Sequence, residues 1–140
     1  VHIDLLQDIV RQHGKTVGDL MLRTVTQFLS AALREMDLVA RYEDDAFAVL
    51  MPGIALEHAV GIGERLRAAI ARCPLRLKDA EVHFTISLGV AEAVPVDDSA
   101  SLVKRAHAAM NASVQAGRDC THFHDGQACQ ACETVGAVSR

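Results

Sequence analysis

The stretch LVARYEDDAFAVLM, residues 38–51, decides the fold. Two short apolar runs, Leu38-Val39-Ala40 and Ala48-Val49-Leu50-Met51, flank a compact polar centre. Such runs joined by turn-forming acids predict a β-hairpin, with strands over 38–42 and 47–51 and a turn at Glu43-Asp44-Asp45-Ala46. Pro52-Gly53 ends it. The three adjacent carboxylates leave two readings open. With Asp4 they form a weak metal-holding set, or they are a solvated turn in which Asp is an ordinary residue.

The elements on either side are helical or extended by period. Before the hairpin, residues 1–6 read as a short strand running into a helical turn that ends before Gly14. Val17, Leu20, Met21, Val25, Phe28, Leu29, Ala32 and Leu33 then recur at helical spacing, with Thr16 and Asp19 placed as a capping box. After the hairpin, Leu56, Ala59, Val60, Gly63, Leu66 and Ile70 form one face of a second amphipathic helix closed by Pro74. Residues 82–90 alternate apolar and polar and predict one strand. A third helix starts near Ser99 and stops at Gly117, and residues 120–124 predict a last strand. The order β-α-α-β-β-α-β-α-β predicts an α/β (α+β) sandwich, a mainly antiparallel central sheet flanked by helices.

Bulk properties exclude several classes. The 140 residues suit one domain, and half of them are hydrophobic. A net charge of −4 gives no basic footprint for nucleic acid or an anionic membrane. No apolar run predicts a membrane span and no leader opens the chain, so a cytoplasmic domain is expected. Val1 already belongs to a strand-like stretch, which predicts one domain of a longer polypeptide, truncated at its N-terminal edge.

Three of the four cysteines fall near the C-terminus. Cys120, His122 or His124, Cys129 and Cys132 can wrap a tetrahedral zinc ion. The other readings are a reversible Cys129–Cys132 disulfide, or a packed Cys120 followed by a loose tail over residues 127–140. Cys73 is expected to be a buried apolar thiol.

Six pieces in order resemble the GGDEF domain, the diguanylate cyclase family. They are Gly14-x-x-x-Gly18-Asp19, Arg34-x-x-Asp37 leading to Arg41-Tyr42, residues 47–52 (FAVLMP), residues 59–67 (AVGIGERLR), Thr85-Ile-Ser-Leu-Gly89-Val90 and Ala116-Gly117-Arg118. The resemblance covers residues 1–126 and implies a nucleotide cyclase-like palm. Members condense two GTP molecules into cyclic di-GMP, using divalent metal held by carboxylates of the first strand and the hairpin. Two hairpin glycines admit the nucleotide.

Position by position, this chain departs from that pattern. His2 stands where the first-strand metal aspartate falls. Glu43 and Asp44 replace the glycines, Asp45 keeps the third signature carboxylate, and Ala46 replaces the glutamate. Val10 replaces the guanine-reading asparagine, and Gln7 and Val114 replace two phosphate-binding lysines. Asp19, Asp45 and Arg118 remain of the nucleotide site. Each lost carboxylate or lysine costs roughly 10²-fold or more, so a degenerate domain with no catalytic residue is expected.

Arg34 and Asp37 match the family's RxxD inhibitory site for cyclic di-GMP, and Arg65 matches a second arginine used by some members. An arginine fork suits guanine O6 and N7, and an aspartate suits its N1–H and N2–H. Without the resemblance, Arg and Asp at this spacing are an ordinary ion pair. Three functions follow: a cyclic di-GMP sensor inside a larger bacterial signalling protein, a dimerisation or protein-interaction module that binds no nucleotide, or a residual GTP-binding domain or weak cyclase. With these departures from the family no cofactor is expected to be required, and cyclic di-GMP is the expected ligand. As partners the resemblance implies cyclic di-GMP, other domains of the same chain, and a homodimer or a partner GGDEF/EAL-type domain.

Overall fold

The computed structural model describes residues 1–133. The order is β1 (His2–Ile3), α1 (Leu6–His13), α2 (Lys15–Ala32), β2 (Leu38–Glu43), β3 (Ala46–Leu50), α3 (Leu56–Ala71), β4 (Leu75–Arg76), β5 (Glu81–Val82), β6 (Ile86–Ala91), α4 (Ser99–Gln115), β7 (Thr121–His124) and β8 (Cys129–Ala131). Six strands form one sheet in the order β2-β3-β1-β6-β7-β8, antiparallel except for the β6–β7 pair. The expected α/β sandwich with a mainly antiparallel sheet is therefore present. No helix among the described residues is long and apolar enough to cross a membrane.

The core lies between the sheet and α1 to α3. Ile3, Leu6, Met21, Val25, Leu29, Phe47, Leu66, Ile70 and Ile86 are all buried in it. Leu88 continues this face: its side chain meets Gly63 of α3. Gly89, next in the strand, faces the backbone of α4, so α4 covers the opposite side. Asp98 caps α4 by accepting from Ser101 N–H at 2.8 Å, and the Ser101 hydroxyl accepts from Asp98 N–H at 3.0 Å, a reciprocal capping box.

Several expectations need correction. The hairpin turn is tighter than expected, with Glu43 paired to Ala46 across Asp44-Asp45 and an irregularity between Arg41 and Glu43. Arg41 braces it, donating to the carbonyls of Glu43 at 3.2 Å and Asp44 at 2.7 Å. No Thr16–Asp19 capping box forms. Helix α1 runs to His13, so Gly14 alone, at φ 97°, joins it to α2, and Thr16 already lies inside the helix. The single strand expected over 82–90 is broken: Glu81–Val82 pairs with Leu75–Arg76 in a separate small sheet. Cys73 is exposed, because it follows the C-cap Arg72 and turns outward before Pro74. The expected loose tail contains β8, which pairs with β7 as a new sheet edge. Residues 134–140 lie outside the described residues.

Candidate functional site

One edge of the sheet gathers the C-terminal end of β1, the hairpin turn, the start of β6 and the loop before β7. At its centre is Asp4, whose side chain is 2% exposed. Ser87 Oγ donates to Asp4 Oδ1 at 2.7 Å, and Thr85 Oγ1 donates to Oδ2 at 2.7 Å. Asp119 N–H donates to Oδ2 at 3.2 Å. The fourth partner is the His2 ring, with Nδ1 3.2 Å from Asp4 Oδ1. The other ring nitrogen, Nε2, lies 3.1 Å from Asp45 Oδ2 in the hairpin turn. One imidazole thus joins the first strand to the turn.

The electrostatics follow from this contact. The Asp4 hydrogen bond raises the pKa of His2 above its ordinary 6.5; partial burial opposes this and the Asp45 charge adds to it. Burial alone pushes Asp4 up, but the His2, Ser87 and Thr85 hydrogen bonds and the Asp119 N–H outweigh it and leave the carboxyl below its ordinary value. A raised histidine stabilises the fold fully below its unfolded pKa and loses that contribution as pH rises through the folded value. A depressed aspartate contributes above its unfolded pKa and loses the contribution as pH falls through the folded value. Thermal stability is therefore expected to decline from the neutral range upward and again in acid. The His2→Gln variant is expected to lose the alkaline slope in melting curves recorded across pH.

Divalent metal does not fit these residues. A hard cation needs oxygen lone pairs at octahedral positions. Between Asp4 and Asp45 stands a ring that directs a nitrogen at each carboxylate, and both oxygens of Asp4 already accept two donors each. Among the described residues no cluster of three or more His, Cys, Asp or Glu side chains is placed to hold a metal ion. The zinc set does not converge. Cys129 stands opposite His124 and Ala131 opposite His122, so alternation turns Cys132 to the other face, beside Thr121. Cys120 Sγ is bound to Ser113 O at 3.4 Å, and His122 Nδ1 lies 2.8 Å from Ser113 Oγ. Strand alternation also keeps Cys129 and Cys132 from pairing with each other. All four cysteines are free thiols.

The remaining nucleotide-site positions, Asp19, Asp45 and Arg118, share no hydrogen bond among the described residues. Asp19 is exposed and lines a cleft of about 210 Å³ with Gln7, Val10, Gly18, Arg41 and Asp44. Arg118 is exposed with φ 67°, a left-handed turn outside that cleft. Glu43 reaches across to α4, where its Oε1 lies 3.2 Å from His107 Nε2. This contact exists because a glutamate occupies a turn position that a glycine leaves open.

Arg34 and Asp37 meet at the start of β2. Arg34 Nη2 donates to Asp37 Oδ1 at 2.7 Å and to Pro52 O at 2.7 Å, and Arg34 N–H donates to Asp37 Oδ2 at 2.7 Å. The Asp37 side chain is 1% exposed, whereas Arg34 is 42% exposed. Their contact raises the arginine's pKa and lowers that of the aspartate. Arg65 lies on the exposed side of α3, and no hydrogen bond among the described residues links it to the pair.

Sequence reasoning passed over a second network on this edge. Arg67, 9% exposed, donates from Nε to Glu64 Oε2 at 2.8 Å and from Nη1 to Asp119 Oδ1 at 2.8 Å. Thr121 Oγ1 donates to the same Glu64 oxygen at 2.6 Å. The signal was an i,i+3 acid–base pair on the apolar face of a helix. The hydroxyls of Thr85 and Ser87, two apart on the polar side of the alternating stretch 82–90, were the signal for Asp4.

Comparison with known proteins identifies the family. The family model "Diguanylate cyclase, GGDEF domain" matches residues 1–120. The diguanylate cyclase DgcP of Pseudomonas aeruginosa is 34% identical over 117 residues, which are 84% of this chain and 17% of that protein. The response regulator PleD of Caulobacter vibrioides is 33% identical over 122 residues, 85% of this chain and 27% of that protein. The chain therefore spans under a third of either relative. Among solved structures, the diguanylate cyclase SiaD of Pseudomonas aeruginosa, in complex with its activator SiaC, superposes with a TM-score of 0.82 at 28% identity, covering 88% of this chain and 47% of that one. The GGDEF domain of DgcB from Caulobacter crescentus, in complex with c-di-GMP, gives 0.79 at 25% identity, covering 84% and 71%.

Proposed function

The chain belongs to the GGDEF, diguanylate cyclase family, and from that premise we propose that it is a catalytically silent member that senses cyclic di-GMP through Arg34. The observation that carries the reading is the Arg34–Asp37 pair. Asp37 and the Pro52 carbonyl hold the guanidinium extended at the surface, so little side-chain entropy remains to be lost on binding. Nε and Nη2 are taken by Asp37 and Pro52, which leaves the Nη1 amino group to donate to a guanine acceptor or a phosphate oxygen. Asp37, nearly covered, orients the arginine. The DgcB neighbour was solved with the same dinucleotide, which supports testing it here.

Silence in catalysis is supported by His2 between Asp4 and Asp45 and by the filled hairpin turn. The domain then acts within a larger bacterial signalling protein, passing occupancy of Arg34 to attached domains, to a second copy, or to a partner GGDEF/EAL-type domain. Calorimetric titration with cyclic di-GMP is expected to give heat at micromolar ligand, and Arg34→Ala is expected to weaken binding at least 100-fold. No heat from the unmutated chain at high micromolar ligand sinks the sensor reading. Formation of cyclic di-GMP from GTP and Mg²⁺ sinks the claim of silence, and binding of GTP alone favours a residual nucleotide site at Asp19 and Asp45.

A second reading rests on β2. This edge strand exposes Leu38, Val39 and Tyr42, with Leu50 beside them on β3. An apolar open edge suits a dimerisation or protein-interaction module, which silent calorimetry favours.

A further inference from the structure

We propose that the His2 imidazole is a built-in substitute for a divalent cation, bridging Asp4 and Asp45 from within the chain and shutting metal out of this edge of the sheet. The inference does not depend on whether Arg34 takes the dinucleotide.

Hydrogen-bond chemistry fixes the state of the bridge. Nδ1 faces Asp4 Oδ1 and Nε2 faces Asp45 Oδ2, at 3.2 and 3.1 Å. With both carboxylates ionised each can only accept, both ring nitrogens donate, and a ring that donates twice is the imidazolium. One positive charge therefore stands between two negative ones. The ring is 16% exposed and Asp45 30% exposed, so water reaches the bridge from the turn side only in part.

Geometry makes the substitution exclusive. Two oxygens bound to one Mg²⁺ at about 2.1 Å are at most about 4.2 Å apart. Here two hydrogen bonds of more than 3 Å, with the ring between them, separate the oxygens more widely. A cation entering from solvent has to expel a protonated ring and draw the turn inward. Asp4 resists that movement, because Thr85, Ser87 and the Asp119 N–H hold it on the sheet side. The carboxylate of Asp4 keeps a cation partner that cannot dissociate, and the turn keeps its place without depending on ions in solution.

The position is one substitution from a metal site. His2→Asp replaces the donor ring by a third carboxylate beside Asp4 and Asp45. With Mn²⁺ as probe, followed by electron paramagnetic resonance of the free ion, the unmutated chain is expected to show no stoichiometric binding at neutral pH. The His2→Asp variant is expected to bind one Mn²⁺ at least tenfold more tightly, and adding Asp45→Asn is expected to reverse the gain. Stoichiometric binding by the unmutated chain that Asp45→Asn abolishes overturns the proposal, as does a folded His2→Asp variant that gains no affinity. Should His2→Asp fail to fold even with Mn²⁺ present, nitrogen NMR of the unmutated chain decides: both His2 ring nitrogens protonated supports the bridge, and one bare nitrogen overturns it.

Discussion

Gly89→Ala is expected to remove a large part of the stability of the fold. Gly89 sits in β6 where α4 crosses the sheet. A methyl group there falls 2.7 Å from Met110 Cα, and closer still to Met110 N and Ala106 O. These are backbone atoms of a helix, so no rotamer change relieves the clash. The remaining response is to lift α4 off β6 and β7, exposing Ala109, Met110 and Ser113, all now buried. Such overpacking costs about 4 kcal/mol or more, against a total stability of about 5–15 kcal/mol. Gly63→Ala is the control. Its new methyl meets only Leu88 Cδ2, at 3.2 Å, a side-chain end that can turn. Helix propensity returns roughly 0.5–1 kcal/mol there. Urea unfolding is expected to separate the two, with Gly63→Ala close to the unmutated chain and Gly89→Ala unfolding at a far lower urea concentration. A stable Gly89→Ala with an unchanged midpoint contradicts this packing.

Asp4→Ala is the second large effect expected. Its carboxylate satisfies two hydroxyls, one backbone N–H and the His2 ring, in a place with almost no water. Removing it strands donors that cannot be hydrated and leaves the imidazolium with Asp45 alone. Breaking a buried charge pair by one partner costs about 3–5 kcal/mol. Double-mutant arithmetic separates pair from packing: with His2→Ala also present, the combined loss is expected to fall short of the sum of the singles by about 1 kcal/mol or more. Additive losses in urea unfolding would show that the two side chains do not interact.

Much of the architecture was legible because period survives local noise. The hairpin, the helix ending near Ala32, the helix from Leu56 and the helix from Ser99 were all readable from apolar spacing. The break at residues 83–85 was not, since Val82 and Phe84 are both buried and alternate as a strand does, although only Val82 lies in a strand, that of the small sheet. Helix capping at Thr16 misled for a related reason: the motif is local, and the length of α1 decided the matter. At the site, the substitutions at 2, 43, 44 and 46 were visible in the sequence. That the ring at position 2 reaches Asp45, 43 residues away, was not. Carboxylate–imidazole geometry depends on register across β1, β3 and β6, and no sequence pattern encodes it. The cysteine spacing suggested a common centre that alternation in β7 and β8 takes apart.

The place of β1 in the sheet bears on how the chain reaches this structure. The strand nearest the start of the sequence lies between β3 and β6, and its carboxylate is closed off by groups 83 and 115 residues further along. The β2–β3 hairpin needs only a short loop and can form on its own. The seat of Asp4 exists only after the chain from α1 to the loop before β7 has been drawn together, and that closure entropy is paid before any buried hydrogen bond compensates it. The full set of partners around Asp4 thus depends on contacts that span most of the described chain.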